Sequence, residues 1–151
     1  MSNTQAMCTS FKSEILTGTH NFGVAPTRGS TAADSFKAAL YLASATVNAT
    51  TTAYSATNEV SGTNYPAGGV AVTNATVPTS SGTTAYWTPS ASITYTTVTL
   101  TTAFDAFLIY NSTQSNKAVS VQTFGSQTVT AGTFSLTMPA NAPSTALLNI
   151  A

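Results

Sequence analysis

Apolar and polar residues alternate with a period of two through most of the chain beyond residue 35. That period sends successive side chains to opposite faces of an extended strand, so it commits the chain to sheets and not to helices. Phe36, Ala38, Leu40 and Leu42 fall on one parity, and Lys37, Ala39 and Tyr41 on the other. Val70 and Val72 alternate with Ala71 and Thr73, and Val119 and Val121 with Ser120 and Gln122. The 31 threonines among 151 residues serve the same end. Their β-branch favours extended backbone, and their hydroxyl gives a sheet a polar outer face without charge.

Further runs complete the pattern. A short strand is expected from Tyr54 to near Val60, and an aromatic one over residues 85–88. In residues 92–101, Ile93 and Tyr95 share one parity while Val98 and Leu100 take the other. That shift between Thr96 and Thr97 predicts a β-bulge or a change of sheet. Residues 103–110 are apolar on both faces except at Asp105, as befits a central strand covered on both sides. Residues 128–138 are interrupted at Gly132, and residues 146–150 close the chain. Turn chemistry lies between the runs, at residues 62–69, at residues 111–116 and at Gly125-Ser126-Gln127. Strands at a spacing of roughly 8–12 residues indicate an all-β fold, a single β-sandwich of jelly-roll or immunoglobulin-like type with about eight strands.

Ahead of the sandwich, residues 1–10 lack periodicity and are expected to form an arm, leaving residues 11–151 as the domain. Residues 10–17 suit a short helix, with Ser10 as N-cap, Phe11 and Ile15 on one face and Gly18 as the stop. A strand is the alternative, because so short a helix is marginal alone. Residues 23–33, with Pro26 and Gly29, are expected to be a loop.

Charge is the compositional anomaly. Only 5% of residues are charged, four basic against four acidic, where an average soluble domain carries roughly 25%. Lys12, Arg28, Lys37 and Lys117 are scattered, so no basic stripe serves nucleic acid or an anionic membrane surface. No signal peptide and no apolar run of membrane-helix length is expected. Monomeric sheet proteins guard their edges with charged side chains. A sheet protein this poor in ions has either short, bulged edges blocked by proline, for which Pro66, Pro78, Pro89 and Pro139 are available, or edges covered by other subunits, and the second is the expectation; threonine hydroxyls are cheaper than ions to bury at such contacts once hydrogen-bonded.

No motif for chemistry emerges. His20 is the sole histidine, and Glu14 is the nearest carboxylate in the sequence. Cys8 has no second cysteine for redox chemistry. The carboxylates Glu14, Asp34, Glu59 and Asp105 show no metal-ligand spacing, and zinc has too few His and Cys ligands. Gly62, Gly68 and Gly69 are read as turn glycines, since no Lys and helix follow them as a P-loop requires. Three Asn-x-Thr matches, at Asn48, Asn74 and Asn111, are expected by chance in a chain this rich in Thr and Asn. Neither catalytic residues nor a cofactor or metal are assigned. Tyr86 and Trp87 are candidates for a sugar-stacking platform or for subunit contacts, and Phe11, Ile15, Leu16 and Phe22 for anchoring the arm end at an interface.

Several spaced motifs run across nearly the whole chain beyond the arm. They are Phe11-Lys12-x-Glu14-Ile15-Leu16-x-Gly18-x-His20-x-Phe22, Phe36-Lys37-x-Ala39-Leu40-Tyr41, Thr52-x-Tyr54-x-x-Thr57-x-Glu59-Val60-x-Gly62-x-x-Tyr65-x-x-Gly68-Gly69, Leu108-Ile109-Tyr110-Asn111 and Gly132-Thr133-Phe134. In these the chain resembles a group of small bacteriophage and prophage virion proteins. The resemblance implies a structural protein of the virion, assembled in the host cytoplasm, and carries over no catalytic residue.

Three roles follow as expectations. The first is a capsid decoration or cement protein that bridges capsomers, with the major capsid protein and further copies of itself as partners. The second is a tail or fibre-base component, or a receptor-binding module using Tyr86 and Trp87. The third, ranked last, is a virion glycan hydrolase working through Glu59 or Asp105.

Overall fold

The computed structural model describes residues 2–16, 18–22, 33–73 and 76–151, apart from the side chains of Ser13 and Leu16. The loop expected at 23–33 falls almost entirely outside these residues. The fold is all-β and sandwich-like, with two antiparallel sheets. The elements are β1 (Ala6–Met7), α1 (Thr9–Leu16), β2 (Phe36–Leu42), β3 (Val70–Val72), β4 (Thr79–Ser81), β5 (Thr84–Trp87), β6 (Ile93–Asn111), β7 (Lys117–Leu136) and β8 (Leu148–Ile150). One sheet has the order β1-β7-β6-β2-β3 and the other β4-β5-β8.

Helix α1 forms where the spacing of Phe11 and Ile15 predicts it, starting one residue early. It stops at Gly18 (φ 67°). There Gly18 N–H donates to Ile15 O at 3.0 Å and Thr19 N–H to Glu14 O at 2.9 Å, the paired bonds of a Schellman ending. Residues 2–8, part of the arm expected at 1–10, lie along the rest of the fold. Ala6 and Met7 pair with Val121 and Ser120. The Asn3 amide donates to Leu42 O and to Asp105 Oδ1, and its oxygen accepts Val47 N–H.

The largest departure from the sequence reading is the β6–β7 hairpin. Two strands were expected in each arm, and each arm is one strand, 19 and 20 residues long. Gly125-Ser126-Gln127, expected to turn, runs straight through as strand. The ladder shifts register there, from Phe104 opposite Gln127 to Ala106 opposite Thr123, and β6 continues alongside. The pairing shifts register at several places, among them between Tyr95 and Val98, where the parity change predicted a bulge. Thr97 (φ 53°) and Ala131 (φ 47°) sit at these irregularities.

Those irregularities fold the hairpin over itself. Phe124 and Phe134 would stand about 33 Å apart on a straight strand, yet their rings lie 5.4 Å apart. Phe104 meets both, at 5.9 and 5.0 Å. Tyr95 Oη, from the far half, donates to Ala38 O in β2 at 2.7 Å. A single hairpin therefore packs against itself and against β2 around the core of Leu40, Val98, Leu100, Phe104, Leu108 and Val121.

The segment expected as a strand from Tyr54 to Val60 is a loop that pairs with the sheet at an isolated bridge, Tyr41 with Glu59, with a second just before it, Ala53 with Lys117. Asn58 (φ 61°) breaks its extension. Gly82 (φ 58°) opens the two-residue turn between β4 and β5.

Candidate functional site

Each of the four carboxylates, among them Glu59 and Asp105 of the hydrolase expectation, accepts hydrogen bonds within the fold. Glu59 lies in the loop between β2 and β3, and three donors converge on it. Tyr54 Oη donates to Oε2 at 2.6 Å, and Tyr65 Oη and Gly68 N–H donate to Oε1 at 2.9 and 2.8 Å. Tyr65 Oη also accepts Leu40 N–H from the β2 backbone at 2.9 Å. Tyr110 Oη donates to Gly68 O at 2.7 Å. Gly69 (φ 75°) must be glycine, since a Cβ there would overlap Ala38 O. Desolvation and the Glu59 charge push the hydroxyls of Tyr54, Tyr65 and Tyr95 well above the usual tyrosine range. Burial, with Glu59 adding to it, also raises Tyr41, to about 12. These tyrosines are held protonated as donors.

A second centre joins α1 to the β6–β7 turn. Glu14 Oε1 accepts Lys117 Nζ at 2.5 Å, and its Oε2 lies 2.7 Å from His20 Nε2. Six residues separate Glu14 from His20, and the Schellman reversal at Gly18 brings them together. Burial would raise the Glu14 carboxyl, but hydrogen bonds and charge from Lys117 and His20 outweigh it and hold the carboxyl below the usual range. On the other side of the imidazole, Asn111 Nδ2 lies 3.1 Å from His20 Nδ1 and 2.7 Å from Asp34 Oδ2. Asp34 also accepts Asn21 N–H at 3.0 Å and Gln114 Nε2 at 3.3 Å. The His20 side chain is fully buried and both its nitrogens are engaged. Neither is available as a base for an external nucleophile. Cys8 is buried, and burial together with the Glu14 charge raises its thiol to about 11, keeping it protonated and unreactive.

The expected interface residues divide by position. Phe11, Phe22 and Trp87 form one aromatic cluster with Phe36. Phe22 stacks on Phe36 at 4.3 Å and meets Trp87 at 4.8 Å, and Phe11 meets Phe22 at 6.0 Å. This cluster ties β2 of the large sheet to β5 of the small one. Trp87 is buried and its Nε1 donates to Thr76 O at 2.8 Å, so it offers no face for stacking an external sugar. Ile15 and Tyr86 are half-buried. Ile15 lines a groove of about 450 Å³ with Met7, Lys12, Asn149 and Ile150. The Leu16 side chain lies outside the described residues.

The surface that stands open is an edge. β7 is covered on its outer side by β1 at Ser120 and Val121. From Gln122 to Leu136 it pairs with β6 alone among the described residues. No charged residue occurs in that stretch. The corresponding half of β6 is met on its outer side at one point, by the bridge of Thr63 to Thr99, where Gly62 passes so close to Thr99 O that a Cβ would overlap it. Beside the open edge runs a groove of about 420 Å³ lined by Phe124, Phe134, Met138 and Leu147. The length of β7 hid this edge from the sequence, where Gly125 and Gly132 suggested two short strands.

Among the described residues no three His, Cys, Asp or Glu side chains are grouped to hold a metal ion, and no helix is long and apolar enough to cross a membrane. Comparison with family models, with curated proteins and with solved structures gives no match.

Proposed function

We propose that this chain is a structural subunit of a bacteriophage particle, a decoration or cement protein that joins neighbouring capsid subunits. The carrying observation is the outer edge of β7, unpaired over residues 122–136 among the described residues and free of charge. Such an edge is a template for another strand unless something covers it. The carboxylates add to the argument. Each accepts hydrogen bonds within the fold, so the scarce acidic residues do little to charge the surface, and a neutral hydroxyl-rich surface suits permanent contacts. Repetition of a modest contact by the symmetry of a shell multiplies its strength.

The test is the protein's abundance and position in purified particles. A copy number comparable to that of the capsid protein, with density over the shell, is the expected result. A few copies at the tail would favour a tail or fibre-base role through the same edge. Absence from the particle would overturn both.

A further inference from the structure

The small sheet has an open border of its own. β8 pairs with β5 on one side and, among the described residues, with nothing on the other. Side chains alternate along a strand, so Leu148 and Ile150 share a face. Leu148 is buried in the core, whereas Ile150 is 45% exposed. Packing on that face therefore stops short of Ile150. The space left is the groove of about 450 Å³ between β8 and the α1 side, which Met7 and Ile15 line together with Ile150. That volume lies in the range that takes a small ligand or a few side chains. Lys12 is the one charged side chain lining it. Among the described residues Lys12 forms no ion pair and no side-chain hydrogen bond.

We propose that this groove docks an extended segment of another protein, added as a strand to β8, with apolar side chains in the groove and a carboxylate on Lys12. Three features choose that occupant. The free β8 border offers backbone donors and acceptors, which an added strand can use and a lipid chain cannot. The apolar lining receives alternate side chains of such a strand. The unpaired ammonium calls for an anion. The side chains of a second copy bring none, since Glu14, Asp34, Glu59 and Asp105 all accept hydrogen bonds inside their own fold. With three residues β8 supplies few ladder bonds, so affinity depends on the groove and on Lys12 together. The site shares no residue with the open stretch of β7, so it stands or falls apart from the capsid role.

The test uses the full chain, labelled with ¹⁵N, and a library of capped heptapeptides. Val, Ile, Leu and Thr vary at the outer positions, and the centre is Glu, Gln or Lys. Glu peptides should bind and displace the amide signals of Asn149 and Ile150 ahead of those of β7. Their Gln counterparts should bind about two- to fivefold more weakly, the worth of one exposed ion pair, and Lys peptides more weakly still. Lys12→Gln, a change at an exposed position, should erase the difference between Glu and Gln, as should high salt. Ile150→Ser should weaken every class. No binding up to about 1 mM, binding without preference for Glu, or displacement centred on β7 would overturn the proposal. So would dodecanoate filling the groove in place of the peptides, which gives it to a small amphiphile. Movement of the β8 signals with protein concentration alone would give it to a second copy and overturn the proposal equally. The spectra of the unmutated chain decide the matter even if a variant fails to fold.

Discussion

The two halves of the β6–β7 hairpin share a ladder but not an environment. Next to the turn, residues 106–111 and 118–121 are buried without interruption. β2 flanks them on one side and β1 on the other. Further out, residues 101–103 and 125–128 are exposed in unbroken runs, and beyond them burial returns to alternation. The near half is gripped by both centres that use carboxylates, through Lys117 and Asn111 and through Tyr110. The far half of β7 has neither a charge nor an outer neighbour among the described residues. The comparison teaches that the ions here fasten the fold at one end of the hairpin, while the other end is left neutral at a strand border.

The hinge between the halves is the place to break this contrast. Phe104→Ala removes the ring that meets both Phe124 and Phe134, and should cost about 3–5 kcal/mol in denaturant unfolding. At the near half, Glu59→Gln keeps the volume but turns an amide N–H toward a donor. It should cost about 1–3 kcal/mol and loosen the Tyr54 and Tyr65 hydroxyls. Glu14→Gln should cost about 1–2 kcal/mol at neutral pH. Because the folded carboxyl lies below its usual range, its contribution is present above the unfolded value of about 4.3 and is lost as pH falls through the folded one. Wild type and Glu14→Gln should therefore converge in acid when thermal midpoints are compared.

Alkali sharpens the comparison from the other direction. The hydroxyls of Tyr41, Tyr54, Tyr65 and Tyr95 are raised in the fold. The stability they confer is full below the unfolded tyrosine value of about 10 and is lost as pH rises toward the folded values. Ultraviolet titration should show their ionisation coinciding with unfolding. The smallest effect on stability is expected in the far half. Ser126→Lys with Thr128→Lys, both at exposed positions, should change it by less than about 0.5 kcal/mol. The same pair should abolish self-association or particle binding in sedimentation, since charge on an edge blocks added strands. Unchanged association would remove the open edge from the proposed role.

Parts of this were written in the residues. The helix stop at Gly18 was legible because glycine after an i, i+4 apolar pair has a local cause in the αL ending. The bulge at Thr97 was legible from the parity change between Tyr95 and Val98. The central position of residues 103–110 was legible from apolar character on both faces. The strand expected at Tyr54 failed because its side chains answer to Glu59, and convergence on one carboxylate carries no period. The inward turn of Trp87 was equally hidden, since its neighbours Phe22 and Phe36 come from distant parts of the chain.

What the sequence by itself determined was the all-β class, the local stops and bulges, and the shortage of ions, because each depends on residues adjacent in the chain. The tertiary structure alone decided that one hairpin folds back on itself, that the four carboxylates bind segments together, and that β7 keeps a border uncovered among the described residues. These depend on which distant segments meet, and a period of two fixes the face of a side chain without fixing its neighbour.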